Sequence, residues 1–342
     1  MLRRSERSAV MGHAAMEEFL TDEEIDERLG QRLGPLYARQ RLGIERDHEA
    51  QIFGQGLNFF HIENFLYSRA LITSVLKLTG LYWVGRRNAA TVRVRMNHIV
   101  SSRLPTNFDR FTILQLSDLH VDMSPLAMQS VFNLVKDLNF DLCVITGDYR
   151  ALTHGAIGPC LAGMAQVIAR LREVSGETLY GVLGNHDSIR MVPDLERMGA
   201  AMLLNEHVVL RRGGEKIYIA GIDDAHFYRV DNIEKAAEGI PEGAFSILLS
   251  HTPEIFRQAA HAGFDVLLSG HTHGGQICLP GGIPLTLDSG LPRAFGSGAW
   301  KYQNMAGYTS VGAGSCIVPV RFNCPPEITL HQLRRYDATS KS

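Results

Sequence analysis

The chain has 342 residues, with 34 Lys+Arg against 36 Asp+Glu, 45% hydrophobic residues, 14 His and 5 Cys. Such a length and composition describe a folded protein of one large or two modest domains, and exclude a disordered or fibrous one. A formal net charge of −2 excludes a generally basic nucleic-acid coat, and five Cys without a paired CxxC spacing indicate a reducing compartment, not a disulfide scaffold.

Arg3 and Arg4 stand where a signal peptide has its basic region. Glu17, Glu18 and the run from Asp22 to Glu27 arrive before any apolar stretch, so no signal peptide is expected. Residues 12–33 read as an acidic surface helix that Gly34-Pro35 ends. The most hydrophobic stretch, ALITSVLKLTGLYWVG at 70–85, is interrupted by Lys77 and is shorter than the roughly 20 residues of a membrane-spanning helix. Placed on one helix, Leu71, Ile72, Val75, Leu76, Leu78, Tyr82 and Trp83 share a side opposite Thr73, Ser74 and Lys77, so an amphipathic helix is expected.

Charge is distributed unevenly: residues 56–105 carry +6, residues 1–55 carry −3 and the remainder −5. The basic segment also holds Phe59, Phe60, Phe65, Tyr67, Tyr82 and Trp83. Two readings stand. Either it lies on an anionic bilayer surface through Lys77, Trp83, Arg86 and Arg87, or it packs on the main domain with its arginines in water.

Thr91 to Val100 alternates as a half-exposed strand. Beyond Pro105, short β-rich runs at 112–117, 142–146, 179–183, 216–221, 246–250 and 265–269 alternate with helical stretches at 125–138, 156–173, 193–198 and 253–262. Ser124-Pro125 and Thr252-Pro253 are expected helix starts. The expected organisation is an extension over 1–105, an α/β domain over 106–335 and a tail over 336–342.

Polar residues gather where these strands stop, at Asp118-Leu119-His120, Gly147-Asp148, Gly184-Asn185-His186-Asp187, His251 and Gly270-His271-Thr272-His273. Open α/β sheets bind ligands beyond the carboxyl ends of their strands. Each cluster alone has an ordinary reading as a turn or cap; five in succession read as one metal site. Carboxylates, imidazoles and an amide oxygen without cysteine suit Mn, Fe or Zn. Their number exceeds what one tetrahedral ion needs, so two divalent ions sharing a carboxylate are expected.

This ordered set resembles the calcineurin-like metallophosphoesterases, with all five blocks present in the family's order across residues 113–275. The resemblance implies a four-layer α/β/β/α double-sheet sandwich. It also implies one ion held by Asp118, His120, Asp148 and His273, and another by Asp148, Asn185, His251 and His271, with Asp148 bridging. His186 would then act on the transition state or leaving group, oriented by Asp187.

The extension Gly274-Gly275-Gln276-Ile277-Cys278-Leu279-Pro280 looks like a bacterial branch of membrane-associated phosphodiesterases, in the general class of the UDP-2,3-diacylglucosamine pyrophosphatases. That likeness implies a small-molecule or lipid phosphoester as substrate. Cysteine usage and the basic amphipathic segment lead to a cytoplasmic location, free or peripheral on an anionic inner membrane face, and the donor types make Mn the favoured ion. Arg150 is expected either to reach a substrate phosphate through its planar fork or to form a structural ion pair. Arg293, Phe295, Trp300, Lys301 and Tyr302 lie in a stretch at 285–302 that either lines an acyl or headgroup pocket or is a surface loop. The alternatives are a soluble phosphodiesterase or phosphatase acting on nucleotides or phosphoproteins, and a non-catalytic scaffold. A nuclease is disfavoured, since a domain of net charge −5 repels a polyanion.

Overall fold

The computed structural model describes residues 19–51, 68–175, 179–287 and 289–336. Residues 12–18 of the expected acidic helix, and Phe59, Phe60, Phe65 and Tyr67 of the aromatic patch, lie outside them.

The chain opens with a helical pair, α1 (Asp22–Leu33) and α2 (Pro35–Gln51). A capping box starts α1: Thr21 accepts from the Glu24 N–H while the Glu24 side chain reaches back to the Thr21 backbone. Gly34, at φ 88°, turns the chain, and Pro35 begins the next helix at once. The expected surface helix is anchored by its apolar side, with Ile25 and Leu29 fully buried.

The single amphipathic helix expected over 70–85 is instead two, α3 (Ser68–Leu78) and α4 (Leu81–Ala89). Gly80 adopts a left-handed φ of 73° between them, a conformation open to glycine and costly within a helix. Among the described residues, no helix is long and apolar enough to cross a membrane.

Next come β1 (Arg93–Ser101), β2 (Thr112–Leu116), α5 (Pro125–Val135), β3 (Leu142–Thr146), α6 (Gly158–Ser175), β4 (Leu179–Val182), α7 (Val192–Met198) and β5 (Ala201–Met202). After them run β6 (Glu206–Arg212), β7 (Glu215–Gly221), α8 (Ile233–Ala237), β8 (Ser246–Leu249), α9 (Phe256–His261) and β9 (Val266–Ser269). The chain finishes with β10 (Cys278–Leu279), β11 (Ile283–Pro284), β12 (Gly298–Tyr302), β13 (Met305–Thr309) and β14 (Glu327–Arg335). The two expected helix starts differ in detail. Pro125 does open α5, although Ser124 makes no side-chain cap, whereas Thr252 caps a 3-10 turn that precedes α9.

Two six-stranded sheets form, ordered β1-β14-β2-β3-β4-β5 and β12-β13-β9-β8-β7-β6. The first recruits residues 93–101, upstream of the expected boundary at 105–106, through parallel pairing with β14. Strand alternation then sorts each side chain into a layer. Leu142 and Val144 of β3 face Ile247, Leu249, Val266 and Leu268 of β8 and β9 in the core between the sheets. Cys143 and Ile145 point outward into the core shared with α1, α2, α5, α6 and α7, while Leu248 and Leu267 meet α8 and α9 on the opposite outer face. This is the expected α/β/β/α sandwich.

The aromatic stretch at 285–302 joins that last layer. Phe295 stacks on Phe256 at 4.7 Å, Tyr302 meets the same ring at 4.8 Å and Trp300 lies 4.8 Å from Phe295. These partly buried rings pack against the core beside α9.

A buried ion pair ties the N-terminal helices to the site. Arg41 of α2, with no solvent exposure, bonds Asp223 at 3.1 Å and Glu45 at 2.7 Å and stacks on Tyr228. Glu45 in turn accepts from Ile189 N at 2.6 Å and Ser188 Oγ at 2.8 Å, just past His186. Removing one partner of a buried pair leaves the other charge stranded at a cost of about 3–5 kcal/mol. We therefore expect Arg41→Ala to lower the unfolding free energy measured in urea by that much, and Lys77→Ala on exposed α3 to change stability by less than about 0.5 kcal/mol.

Candidate metal centre

The five expected blocks all end at one place. β2 delivers Asp118 and His120, β3 delivers Asp148, β4 delivers Asn185 and His186, β8 delivers His251 and β9 delivers His271 and His273; every one of these side chains is buried. Asp118, His120, Asp148, His271 and His273 have φ of 49°, 41°, 56°, 72° and 49°. Non-glycine residues in the left-handed region cost roughly 1 kcal/mol or more each. Strain concentrated at strand ends turns the side chains of successive loops inward. Close approach supplies the rest: a Cβ on Gly184 would run into the Asp148 carboxylate, and one on Gly270 into Ser117 and Asp118.

The donor atoms form two groups. In the first, those of Asp118, His120, Asp148 and His273 lie within 4.8 Å of one another. His120 Nδ1 donates to Arg150 O at 2.7 Å, which turns its Nε2 lone pair inward, 3.1 Å from His273 Nε2. In the second, His251 Nε2 and His271 Nδ1 converge on Asn185 Oδ1 at 2.9 and 3.0 Å. His251 Nδ1 donates to Thr146 O at 2.8 Å, and its Nε2 is 3.4 Å from Asp148 Oδ1. Asp148 thus stands between both groups, 3.8 Å from His120 Nε2 on its other oxygen. The backbone carbonyls behind His120 and His251 are the support that metal-binding histidines use.

The electrostatics fit divalent cations. Burial holds His120 down at about 4 and His273 well below its usual range, so both are neutral donors. Burial also raises Asp118 to about 6, with Asp148 adding to the rise. Asp148 stays far below the usual carboxylate range in spite of its own burial, because His251 and His186 face it. Burial would lower His251, but Asp148 outweighs that and lifts it to about 10. A proton on His251 therefore supplies positive charge where metal cations would supply more.

The supporting residues were only partly visible in the sequence. Asp187 was expected to orient His186. Its oxygens instead accept the main-chain N–H groups of Asp148 at 2.7 Å, Tyr149 at 2.9 Å and Gly184 at 2.9 Å, stapling two loops together. The His186 ring is aimed by Ala151 O, 2.9 Å from its Nδ1, which leaves Nε2 3.9 Å from Asp148. Arg150 is buried and gives its guanidinium to the carbonyls of His186, at 2.6 Å, Gly155 and Thr153, so it braces this turn in place of reaching a phosphate. Arg321, fully buried, has Nη2 bonded to Val311 O at 2.7 Å and Gly314 O at 2.6 Å beside His273 Nδ1 at 3.2 Å. Nothing in its Pro-Val-Arg-Phe setting marks it out. His226, paired with Glu254 at 2.7 Å, lies against the ring of His271; its loop lacks the strand-end spacing that exposed the other histidines.

Two stacked six-stranded sheets with carboxylates, imidazoles and an amide gathered at their strand ends form a site suited to divalent metal ions. The family model described as calcineurin-like phosphoesterase matches residues 111–275. The metallophosphoesterase YkoQ of Bacillus subtilis is 30% identical over 277 residues, spanning 78% of this chain and all of that protein. The Danio rerio transmembrane protein with metallophosphoesterase domain is 30% identical over 279 residues, spanning 76% of this chain and 60% of that protein. Among solved structures, the Escherichia coli phosphoesterase YfcE aligns with a TM-score of 0.31 at 16% identity, covering 59% of this chain and 80% of that one. The chain belongs to the calcineurin-like phosphoesterase family.

Two outcomes are expected. Gly184→Ala displaces Asp148 and lowers bound metal, measured by plasma mass spectrometry, while circular dichroism shows retained secondary structure. Metal affinity rises with pH across the acid and neutral range, by about tenfold per unit for each proton displaced, because His251 holds a proton below about 10 that metal must replace.

Proposed function

We propose that this protein hydrolyses a phosphodiester or pyrophosphate bond of a lipid- or nucleotide-linked substrate at an anionic membrane surface, with UDP-2,3-diacylglucosamine as the candidate. The observation that carries the chemistry is the position of Asp148 between the two donor groups. In this reading Asp118, His120, Asp148 and His273 hold one divalent ion, and Asp148, Asn185, His251 and His271 hold the second. Such a pair, with Mn favoured where the donors are oxygen and nitrogen alone, supplies Lewis-acid charge and an acidified water. His186, with Nδ1 fixed on Ala151 O, presents Nε2 to the same space and would protonate the leaving oxygen. Asp187 and Arg150 keep that turn rigid.

The membrane reading is supported by the α3–α4 pair. Leu71, Val75, Leu81 and Val84 are exposed, Leu78 is 88% and Trp83 66% exposed, and Lys77, Arg86 and Arg87 flank them. An apolar face this open, rimmed by bases, has the chemistry of an interfacial anchor on anionic lipid. The opposite side of α4 packs tightly: a Cβ on Gly85 would strike Phe322 and Val320, and Gly85 O accepts from Arg321 N at 3.0 Å. Arg321 also borders His273, so the exposed pair sits one residue away from the metal centre. The name of the Danio rerio relative places a domain of this family in a membrane protein.

His186→Ala is expected to keep both metals and lose about 100- to 10,000-fold in kcat on bis(p-nitrophenyl) phosphate; unchanged turnover in a metal-replete variant overturns that role. Wild type is expected to float with vesicles containing anionic lipid, and the Trp83→Ala/Arg86→Ala/Arg87→Ala variant to remain in the soluble fraction. Wild type that ignores such vesicles removes the membrane reading and leaves the soluble phosphodiesterase.

A further inference from the structure

Cysteine had no expected part in this site, yet three of the five thiols gather around the His273 turn. Cys278 and Cys324 are spent on that turn: their Sγ atoms donate to Gly274 O at 3.2 Å and His273 O at 3.3 Å. Cys143 and Cys160 are buried in the outer apolar core. Cys316 is placed differently. Its Sγ and the ring nitrogens of His120 and His273 lie within 4.8 Å of one another, and all three side chains are buried.

The surrounding backbone holds Cys316 there. Gln276, three residues past His273, clamps it from both sides: Oε1 accepts from Cys316 N at 2.7 Å, while Nε2 donates to Cys316 O at 2.9 Å and Val318 O at 3.0 Å. Gln276 has φ 51° and Ile317, the next residue after the cysteine, has φ 60°. A β-branched residue in the left-handed region is a genuine outlier, so the turn that carries the thiol is held against local preference.

We infer that Cys316 is a further ligand at the metal position shared by His120 and His273, a soft donor that selects Zn2+ or Fe2+ over Mn2+. The inference rests on the proposed metal centre. Bonds of about 2.0 Å to imidazole nitrogen and about 2.3 Å to sulfur set donors around one tetrahedral ion roughly 3.3–3.6 Å apart, so Cys316, within 4.8 Å of the two imidazoles but grouped apart from Asp118 and Asp148, reaches the ion by side-chain adjustment. On binding, the thiol proton passes to solvent and a sulfur lone pair takes its place on the ion, with no change of oxidation state. Oxygen and nitrogen donors suit Mn2+; an added thiolate moves the preference towards softer ions.

The test uses the full chain loaded with Co2+, with metal content measured by plasma mass spectrometry. Wild type is expected to show the near-ultraviolet charge-transfer absorption of a cobalt–thiolate bond. Cys316→Ser is expected to bind Co2+ without that band and to lose at least about tenfold in Zn2+ affinity relative to Mn2+, while Cys160→Ser keeps both. X-ray absorption of the Zn2+-loaded wild type, which needs no variant to fold, is expected to show a zinc–sulfur distance. Co2+ bound without the band, a band that survives Cys316→Ser, or a zinc shell without sulfur overturns the inference and leaves the metal centre standing. Failure to bind Co2+ or Zn2+ at all overturns the metal centre itself, and the inference with it.

Discussion

One buried carboxylate organises this molecule. Asp148 sits at the end of β3 in a left-handed turn, between an imidazole pair on one side and the Asn185–His251–His271 group on the other. An ionised carboxylate removed from water is tolerated only with opposing charge and hydrogen bonds close by. The fold provides both: His251 and His186 face it, and the His186 N–H donates to Oδ1 at 3.0 Å. The close approach of Gly184, and the Asp187 staple across two loops, exist to keep that oxygen pair in place.

The rigidity of these loops comes largely from distant parts of the chain. Arg41 and Glu45 of α2 brace the residues just past His186 from behind, and Arg321, between β13 and β14, braces the turn of His273. Both arginines are buried, Arg41 paired with Asp223 and Glu45 and Arg321 bonded to the carbonyls of Val311 and Gly314. The helices before β1 therefore support the site, although nothing in them resembles the five strand-end blocks. Because α4 contacts Arg321 directly, the exposed apolar pair and the metal centre share one structural support.

Much of the site was legible beforehand. Asp118, His120, Asp148, Asn185, His251, His271 and His273 converge as their positions at strand ends implied, because a parallel strand delivers its next residues to a fixed edge of the sheet. The sandwich was implied by the resemblance of those blocks to the family, and runs such as LCVIT, apolar on both faces, fit strands with a layer on each side. Roles that depend on direction were not legible. Arg150 has the chemistry to grip a phosphate and grips carbonyls; Phe295, Trp300 and Tyr302 look like a pocket and close on Phe256. Cysteine was set aside because its spacing forms no metal motif along the chain, yet Cys316 comes close to His273 and, across nearly two hundred residues, to His120.

By itself, then, the sequence determined which polar residues stand at the strand ends, since that follows from residue type and periodicity, and its ordered blocks implied the family and the double-sheet architecture through resemblance. The tertiary structure decided which oxygen or nitrogen faces which neighbour, where Gly80 breaks the amphipathic segment, and which buried arginines hold the loops. Periodicity records which face a residue occupies, not the partner it meets there. That partner comes from chain brought close by folding, and no local pattern carries its identity.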